Sequence, residues 1–219
     1  AGSMETMKDD MSGAAAVIAT MSTMKEIQPK VAITMIVAAT ENMPSGTAIR
    51  PGDVVRAMNG KTIEILNTDA EGRVTLADAA SYVVKQKPDE IIDLATLTGA
   101  CVVALGDTAC GVMTNNQSFA EKVIKAGNET GERMWQLPLF DEDREKIKSD
   151  IADMINTGSK GKSGAQNGAV FIEQYVSDIP WVHIDIAGRS WTDKENEWGA
   201  KGPTGVGVRT LIKNLTNYA

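Results

Sequence analysis

Two acidic side chains stand two residues apart in the segment Asn67-Thr68-Asp69-Ala70-Glu71-Gly72-Arg73. In extended backbone, residues i and i+2 point the same way, so Asp69 and Glu71 would face one side. Adjacent carboxylates repel, and a divalent cation removes that cost because hard oxygen ligands suit Mn²⁺, Mg²⁺ or Zn²⁺. Arg73 follows and can hold an anion beside such cations. The segment indicates a cation site; the simpler alternative is an acidic turn that caps a helix.

Two further segments combine polar residues with the start or end of an apolar element. Asp9 and Asp10 precede a helix of small residues, where helix capping is the simpler explanation. The stretch from Asp93 to Ala100 ends an apolar strand with hydroxyls and a glycine. Ligands bind at the carboxyl ends of strands in α/β folds, so this stretch can hold an extended peptide or form an ordinary turn.

The elements that must position these residues alternate between strands and helices. An Asn59-Gly60 hairpin makes the predicted sheet mixed. The pattern predicts an α/β fold with three α/β/α layers, a mostly buried mixed central sheet and one domain over residues 1–219. Hydrophobic periodicity predicts strands at 30–40, 54–58, 61–65, 90–96 and 181–186, a further apolar segment at 101–105, a loop at 158–168, and helices at 8–26, 73–87, 117–129, 140–153, about 169–177 and 204–214.

The amino-acid composition of the chain limits the classes of function that it can have. The chain has 42% hydrophobic and 23% charged residues, as in globular proteins, and its net charge of −7 disfavours nucleic-acid binding. No apolar run has the length of a membrane span, and no signal pattern opens the chain. The two cysteines favour buried free thiols in a reducing, cytoplasmic compartment. With His183 as the single histidine, a metal site must consist mainly of carboxylates.

Taken together, these segments resemble the leucyl aminopeptidase family of cytosolic two-metal peptidases. The heptapeptide from Asn67 to Arg73 matches the family signature, although Val74 follows where leucine is usual. The resemblance extends in order over essentially the whole chain, through Met7–Ala16, Asp93–Leu105, Met134–Phe140, His183–Gly188 and Gly202–Thr210.

The resemblance implies specific roles. Asp10, Asp69 and Glu71 would bind two Mn²⁺ or Zn²⁺ ions, and Arg73 would hold a catalytic bicarbonate. The ions would activate a water that releases leucine-like residues from the N-terminus of peptides. The family also implies a homo-hexamer. Substrate-binding residues would be Met7, Asn67, Thr96, Leu97, Thr98, Gly99 and Ala187.

The family pattern includes further residues that would precede Ala1. A lysine and an aspartate that bind metal, and a second, catalytic lysine, would all lie upstream, as would the small N-terminal domain; Lys8 does not replace them. This chain therefore supplies three of the five expected ligand side chains, and we expect little activity from it alone.

Alternatives from other classes rest on fewer residues. A non-catalytic role in hexamer assembly or DNA binding, as in some bacterial relatives, could use a local basic patch with Lys160 and Lys162. A phosphate-binding loop at Gly202–Gly207 lacks the P-loop ending. Structural explanations are preferred for several other residues. His183 and Asp185 are expected to be buried and hydrogen-bonded, and the early methionines are expected to be mostly core: Met4, Met7, Met11, Met21 and Met24. Three tryptophans could form subunit contacts, without direct support from the sequence: Trp181, Trp191 and Trp198.

Overall fold

The computed structural model describes residues 4–158, 161–195 and 199–218. These form two compact units. The first unit contains Ala1–Met35, Ile92–Leu137 and Pro180–Ala219, and the second contains Ile36–Ile91 and Pro138–Ile179. The prediction of one domain stays a prediction beside this division.

The helices and strands follow one another along the chain in a mixed order. The helices are α1 (Ser12–Ser22), α2 (Met24–Ile27), α3 (Glu71–Lys85), α4 (Gly99–Leu105), α5 (Gln117–Glu129), α6 (Asp141–Glu145), α7 (Gly164–Glu173) and α8 (Val208–Thr216), with 3-10 helices at Met4–Asp9 and Thr68–Ala70. The strands are β1 (Val54–Arg56), β2 (Thr62–Glu64), β3 (Ile91–Ala95), β4 (Cys110–Thr114), β5 (Met134–Gln136), β6 (Met154–Ile155), β7 (Trp181–Asp185), β8 (Trp191–Thr192) and β9 (Gly202–Pro203). Within the described ranges, no helix has both the length and the apolarity needed to cross a bilayer.

The first unit is built on a four-stranded sheet in the order β3-β7-β4-β5. Strand β4 pairs parallel with β5 and antiparallel with β7, where Val112 lies opposite Ile184. This combination makes the sheet mixed, as the sequence predicts.

Helices cover both faces of that sheet because successive strand residues point to opposite sides. On one face, Val112 belongs to the core that includes Phe119 and Val123 of α5. On the other face, a Cβ added to Gly111 would lie 2.7 Å from the Sγ atom of Cys101 in α4. The predicted α/β fold with three layers is confirmed.

The second unit carries a smaller sheet in the order β1-β2-β6. The antiparallel pair β1–β2 confirms the predicted hairpin, and Gly60 in its turn has φ of 94°, a conformation that favours glycine. Strand β6 pairs parallel with β2. Helix α7 packs against both α3 and α6.

A buried carboxylate fixes the start of α8 in the first unit. Glu132 is only 1% exposed, and its Oε2 atom accepts hydrogen bonds from the amide (2.8 Å) and the hydroxyl (2.5 Å) of Thr210. Its Oε1 atom lies 3.5 Å from the guanidinium of Arg209. Because the first amides of a helix lack partners within the helix, Glu132 acts as a distant cap.

Several local predictions are wrong. Residues 30–40 form no strand in the described sheets; instead the stretch is exposed or half-exposed throughout. An apolar β-branched run forms a strand only when a neighbouring strand completes its hydrogen bonds, and sequence periodicity does not identify that neighbour. The early methionines are not core either. Met4, Met7, Met11 and Met21 are 71%, 45%, 53% and 47% exposed.

Element boundaries also differ from prediction. The segment from Cys101 to Leu105 lies in α4, whose first turn Thr98 caps. The helix predicted at 140–153 ends at Glu145, and α7 begins at Gly164, inside the predicted loop.

Candidate metal and substrate site

The acidic heptapeptide lies where β2 leads into α3. Asn67 has extended backbone, and its side-chain oxygen accepts a hydrogen bond of 3.0 Å from the amide of Asp69. The chain then forms the 3-10 helix Thr68–Ala70 and continues directly into α3. The backbone is therefore not extended between Asp69 and Glu71, and the premise that alternation aligns their side chains is wrong.

Asn156, which directly follows β6, holds this segment from the strand next to β2. Its side chain is fully buried, accepts from the amides of Leu66 (2.9 Å) and Asn67 (3.3 Å), and donates to the carbonyl of Asn67 at 2.7 Å. The sequence analysis missed this residue. Its only signal is a polar residue directly after a short apolar pair, which is too weak to select it.

The two carboxylates of the heptapeptide differ in environment. Asp69 is exposed, whereas Glu71 is half-buried and its Oε1 atom accepts a hydrogen bond of 3.0 Å from the side-chain amide of Asn42. Neither caps α3 through its side chain, because the N-cap residue is Ala70 and no side-chain cap bond is present there. Glu71 does lie in the first turn, where the helix dipole favours a negative charge.

Arg73 is buried in the first turn of α3, with 9% of its surface exposed. Its Nη1 atom donates a hydrogen bond of 3.3 Å to the carbonyl of Thr157. A buried guanidinium has further donors in a fixed fork and is suited to a planar oxyanion.

In the first unit, Asp10 is bonded to the strand end that the sequence singled out. The hydroxyl of Thr96 donates to the Oδ1 atom of Asp10. The N-cap of α1 is Met11, without a side-chain cap bond. Helix capping is therefore not the role of the Asp10 side chain in this structure. The neighbouring Asp9 accepts a hydrogen bond of 3.0 Å from the hydroxyl of Ser190.

The turn after β3 is joined to the turn after β7 through Asp185. The Oδ1 atom of Asp185 accepts from the amides of Leu97 and Ala187, each at 3.2 Å. Its Oδ2 atom accepts from the Thr98 hydroxyl at 2.7 Å. The structure thus brings together Thr96, Leu97, Thr98 and Ala187, and Gly99 opens α4 beside them.

The remaining sequence-selected residues have plainer positions. Met7 lies in the exposed 3-10 helix Met4–Asp9. His183 is fully buried, and its Nδ1 atom lies 2.6 Å from Asp93, whose other oxygen accepts from the indole of Trp181. This agrees with the structural explanation for His183. Lys160 and Trp198 lie outside the described residues.

Both cysteines are free and buried. Burial is the main cause that raises the pKa of Cys101 and of Cys110 to about 12. Neither thiol forms a reactive thiolate near neutral pH, so cysteine-based catalysis is not indicated.

The donor chemistry of Asp69 and Glu71 fits a divalent cation, because both offer hard carboxylate oxygens beside a polar turn. Across residues 4–158, 161–195 and 199–218, no three His, Cys, Asp or Glu residues form a group that could hold a metal ion. The assignment of Asp10 with Asp69 and Glu71 to one metal centre stays a prediction.

Comparison with known proteins identifies the family. The family described as "Cytosol aminopeptidase family, catalytic domain" matches residues 1–212. The chain is 52% identical to a probable cytosol aminopeptidase of Aquifex aeolicus over 97% of its own length and 43% of the relative's. It is 54% identical to the corresponding protein of a Sulfurihydrogenibium species, over 95% of its own length and 42% of the relative's.

A solved structure gives the same result. A lysine-to-glutamate mutant of tomato leucine aminopeptidase superposes with a TM-score of 0.88 at 46% identity, over 96% of this chain and 41% of that one. The chain thus spans about two fifths of the length of these relatives. Because the fold, the sequence and the family model agree over nearly all of its residues, the chain belongs to the cytosol aminopeptidase family, and its residues 1–212 match the family's catalytic domain.

Proposed function

We propose that the chain is the catalytic part of a metallo-aminopeptidase that removes leucine-like residues from the N-terminus of peptides. The observation that carries the proposal is the family match over residues 1–212. It is supported by the carboxylate-bearing heptapeptide, whose backbone forms three hydrogen bonds with the Asn156 side chain, two at Asn67 and one at Ala70.

The proposed ligand side chains are Asp10, Asp69 and Glu71, and the proposed ions are Mn²⁺ or Zn²⁺. Such ions, when bound, polarise a carbonyl and lower the pKa of a bound water. In the described residues, Thr96 orients the carboxylate of Asp10 and Asn42 orients that of Glu71. These contacts restrict the rotation of each carboxylate before any cation arrives.

Arg73 is the proposed holder of a bicarbonate or a similar small oxyanion. Its charge is permanent, and its burial reduces competition from water. One donor bonds to the carbonyl of Thr157, which helps to orient the guanidinium. The anion would then be placed by geometry as well as by charge.

The surface proposed for the peptide is formed by Thr96, Leu97, Thr98, Gly99 and Ala187, together with Met7 and Asn67. The turn after β3 offers backbone groups at the carboxyl end of a strand, which suits an extended peptide. A homo-hexamer and a cytoplasmic location belong to the same proposal and follow from the family resemblance.

Cation binding provides the most direct test. Mn²⁺ is titrated into the chain, and paramagnetic broadening of backbone amide signals is recorded by NMR. We expect broadening to begin around residues 67–73 and near Asp10, and to require at least tenfold more Mn²⁺ in Asp69→Asn and Glu71→Gln. Asp150→Asn, a change at an exposed acidic residue of the second unit, is the matched control and should titrate like the wild type.

The reaction itself is tested on the protein as its source cell produces it. After chelation and return of Mn²⁺ or Zn²⁺, we expect cleavage of L-leucine p-nitroanilide and none of its N-acetylated form, because recognition requires the free amine. Arg73→Ala should lower kcat, and added bicarbonate should not restore it. Equal cleavage of the acetylated substrate would contradict an aminopeptidase, as would turnover that survives complete metal removal.

A further inference from the structure

Removal of the Asp185 side chain from water is energetically unfavourable. Its side chain is completely buried at the end of β7. Burial of an ionised carboxylate costs several kcal/mol unless hydrogen bonds compensate it. The compensation here comes from two backbone amides and one hydroxyl, each within 3.2 Å of a carboxylate oxygen.

Those three donors belong to two different turns. Leu97 and Thr98 follow β3, whereas Ala187 follows β7, and these strands are neighbours in the sheet. The amide of Ile186 also donates to the carbonyl of Ala95 at 2.9 Å. The Asp185 carboxyl group therefore joins the two turns, in addition to this backbone hydrogen bond.

The Asp185 carboxyl group is also linked to α4 through hydrogen bonds. The Thr98 hydroxyl donates to Asp185 and at the same time accepts a hydrogen bond of 3.0 Å from the amide of Cys101, which caps the helix. The thiol of Cys101 lies 3.8 Å from the carbonyl oxygen of Asp185. The first turn of α4, which begins at Gly99, is thus fixed by the same carboxylate.

We propose that Asp185 is a positioning residue that holds the Leu97–Gly99 turn and Ala187 together as one preformed surface for the substrate. The proposal rests on the proposed function, because those residues are its substrate-binding candidates. Asp185 lies beneath this surface and does not touch the substrate. Preformed contact residues lower the ordering cost of binding, so loss of Asp185 affects substrate affinity more than turnover.

The design of the variants follows from the two carboxylate oxygens. Asp185→Asn keeps an oxygen for the amides of Leu97 and Ala187, and the Thr98 hydroxyl can rotate to accept from the new amide nitrogen. Asp185→Ala removes all three bonds. Glu132→Ala is the matched control, because Glu132 is also a buried carboxylate that accepts from a backbone amide and a threonine hydroxyl, but at α8.

The first measurement is hydrogen exchange of the Leu97 and Ala187 amides in the chain, which does not depend on activity. We expect slow exchange in the wild type, Asp185→Asn and Glu132→Ala, and at least tenfold faster exchange in Asp185→Ala. Unchanged protection in Asp185→Ala would overturn the proposal. If Asp185→Ala does not fold, Asp185→Leu, which keeps the branched shape of the side chain but has no acceptor, should accelerate exchange at Leu97 and Ala187. Unchanged exchange at both amides would also overturn the proposal.

The second measurement is the steady-state kinetics of L-leucine p-nitroanilide in the protein as its source cell produces it. In Asp185→Ala, KM should rise about tenfold or more while kcat falls less; Asp185→Asn should restore KM to within about threefold. Loss confined to kcat, or an equal defect in Asp185→Asn, would overturn the proposal. If the wild type does not cleave the substrate at all, the proposed function fails, and the exchange data alone decide whether Asp185 positions the two turns.

Discussion

At the scale of single residues, Asn156 connects the end of β6 to the segment that carries Asp69 and Glu71. Its fully buried side chain accepts hydrogen bonds from two backbone amides there and donates to the carbonyls of Asn67 and Ala70. Asn156→Ala leaves those backbone groups without their partner, so we expect a loss of about 1 to 3 kcal/mol in the free energy of unfolding. Urea denaturation measures this loss, and Asn217→Ala, at an exposed position directly after α8, is the control. Equal midpoints for the two variants would contradict the role of Asn156.

The buried thiols give a prediction about pH. Burial raises the pKa of Cys101 and Cys110 from 9.0 to about 12. The unfolded chain therefore releases these protons at lower pH than the folded chain, so their contribution to stability is full below pH 9 and is lost as pH rises towards 12. From pH 8 to pH 10, the urea midpoint should decrease more in the wild type than in a double variant with Cys101→Ala and Cys110→Ala. Parallel pH dependences would refute this.

Residue types were easier to predict than their supports. The apolar surroundings of both cysteines predict their burial, which the structure confirms. The carboxylates of Asp69 and Glu71 indicate a cation site, which stays a prediction. Asn42 and Asn156 carry no such signal, because an asparagine in a loop has the same local pattern whether it is exposed or holds a distant segment. Their partners are 29 and 90 residues away in sequence.

At the scale of elements, α1 lies unusually close to β3. A Cβ atom added to Gly13 would overlap the carbonyl oxygen of Leu94. We expect Gly13→Ala to lower the free energy of unfolding by about 1 to 3 kcal/mol, because backbone must move. Gly72→Ala in α3 is the matched control, since nothing lies within 4 Å of the added Cβ, and alanine there should be neutral or gain up to about 1 kcal/mol. Thermal unfolding distinguishes the two; an equally tolerated Gly13→Ala would disprove the close approach.

Elements with strong local signals were predicted well. The hairpin β1–β2 has its Asn-Gly turn, α5 has clear apolar spacing, and β7 is a continuous apolar run. Strands β5 and β6 were missed because they have only three and two residues. Strand β4 was also missed, although its five residues make it as long as β7. The segment 30–40 failed for the opposite reason, since its β-branched composition was strong and its pairing was absent from the described sheets.

At the scale of the whole molecule, the net charge of −7 opposes binding to phosphate backbones. We expect no shift of a duplex DNA in gel electrophoresis at 0.15 M salt, even at about 10 μM protein. Reversal of charge at Lys162, with Lys162→Glu, should change nothing. If the wild type shifts the DNA and Lys162→Glu does not, the nucleic-acid role that the sequence leaves open is favoured instead.

The pairing of β4 with β7 has a consequence for the order of events during synthesis. Val112 and Ile184, which lie opposite each other, are separated by about 70 residues, which a ribosome adds in about 4 to 14 s at typical rates. Much of the second unit, Pro138–Ile179, is made during that interval. After β5 has paired with one edge of β4, the other edge therefore stays unpaired until β7 is made. An unpaired strand edge can pair with another chain, so this interval exposes newly made chains to wrong partners.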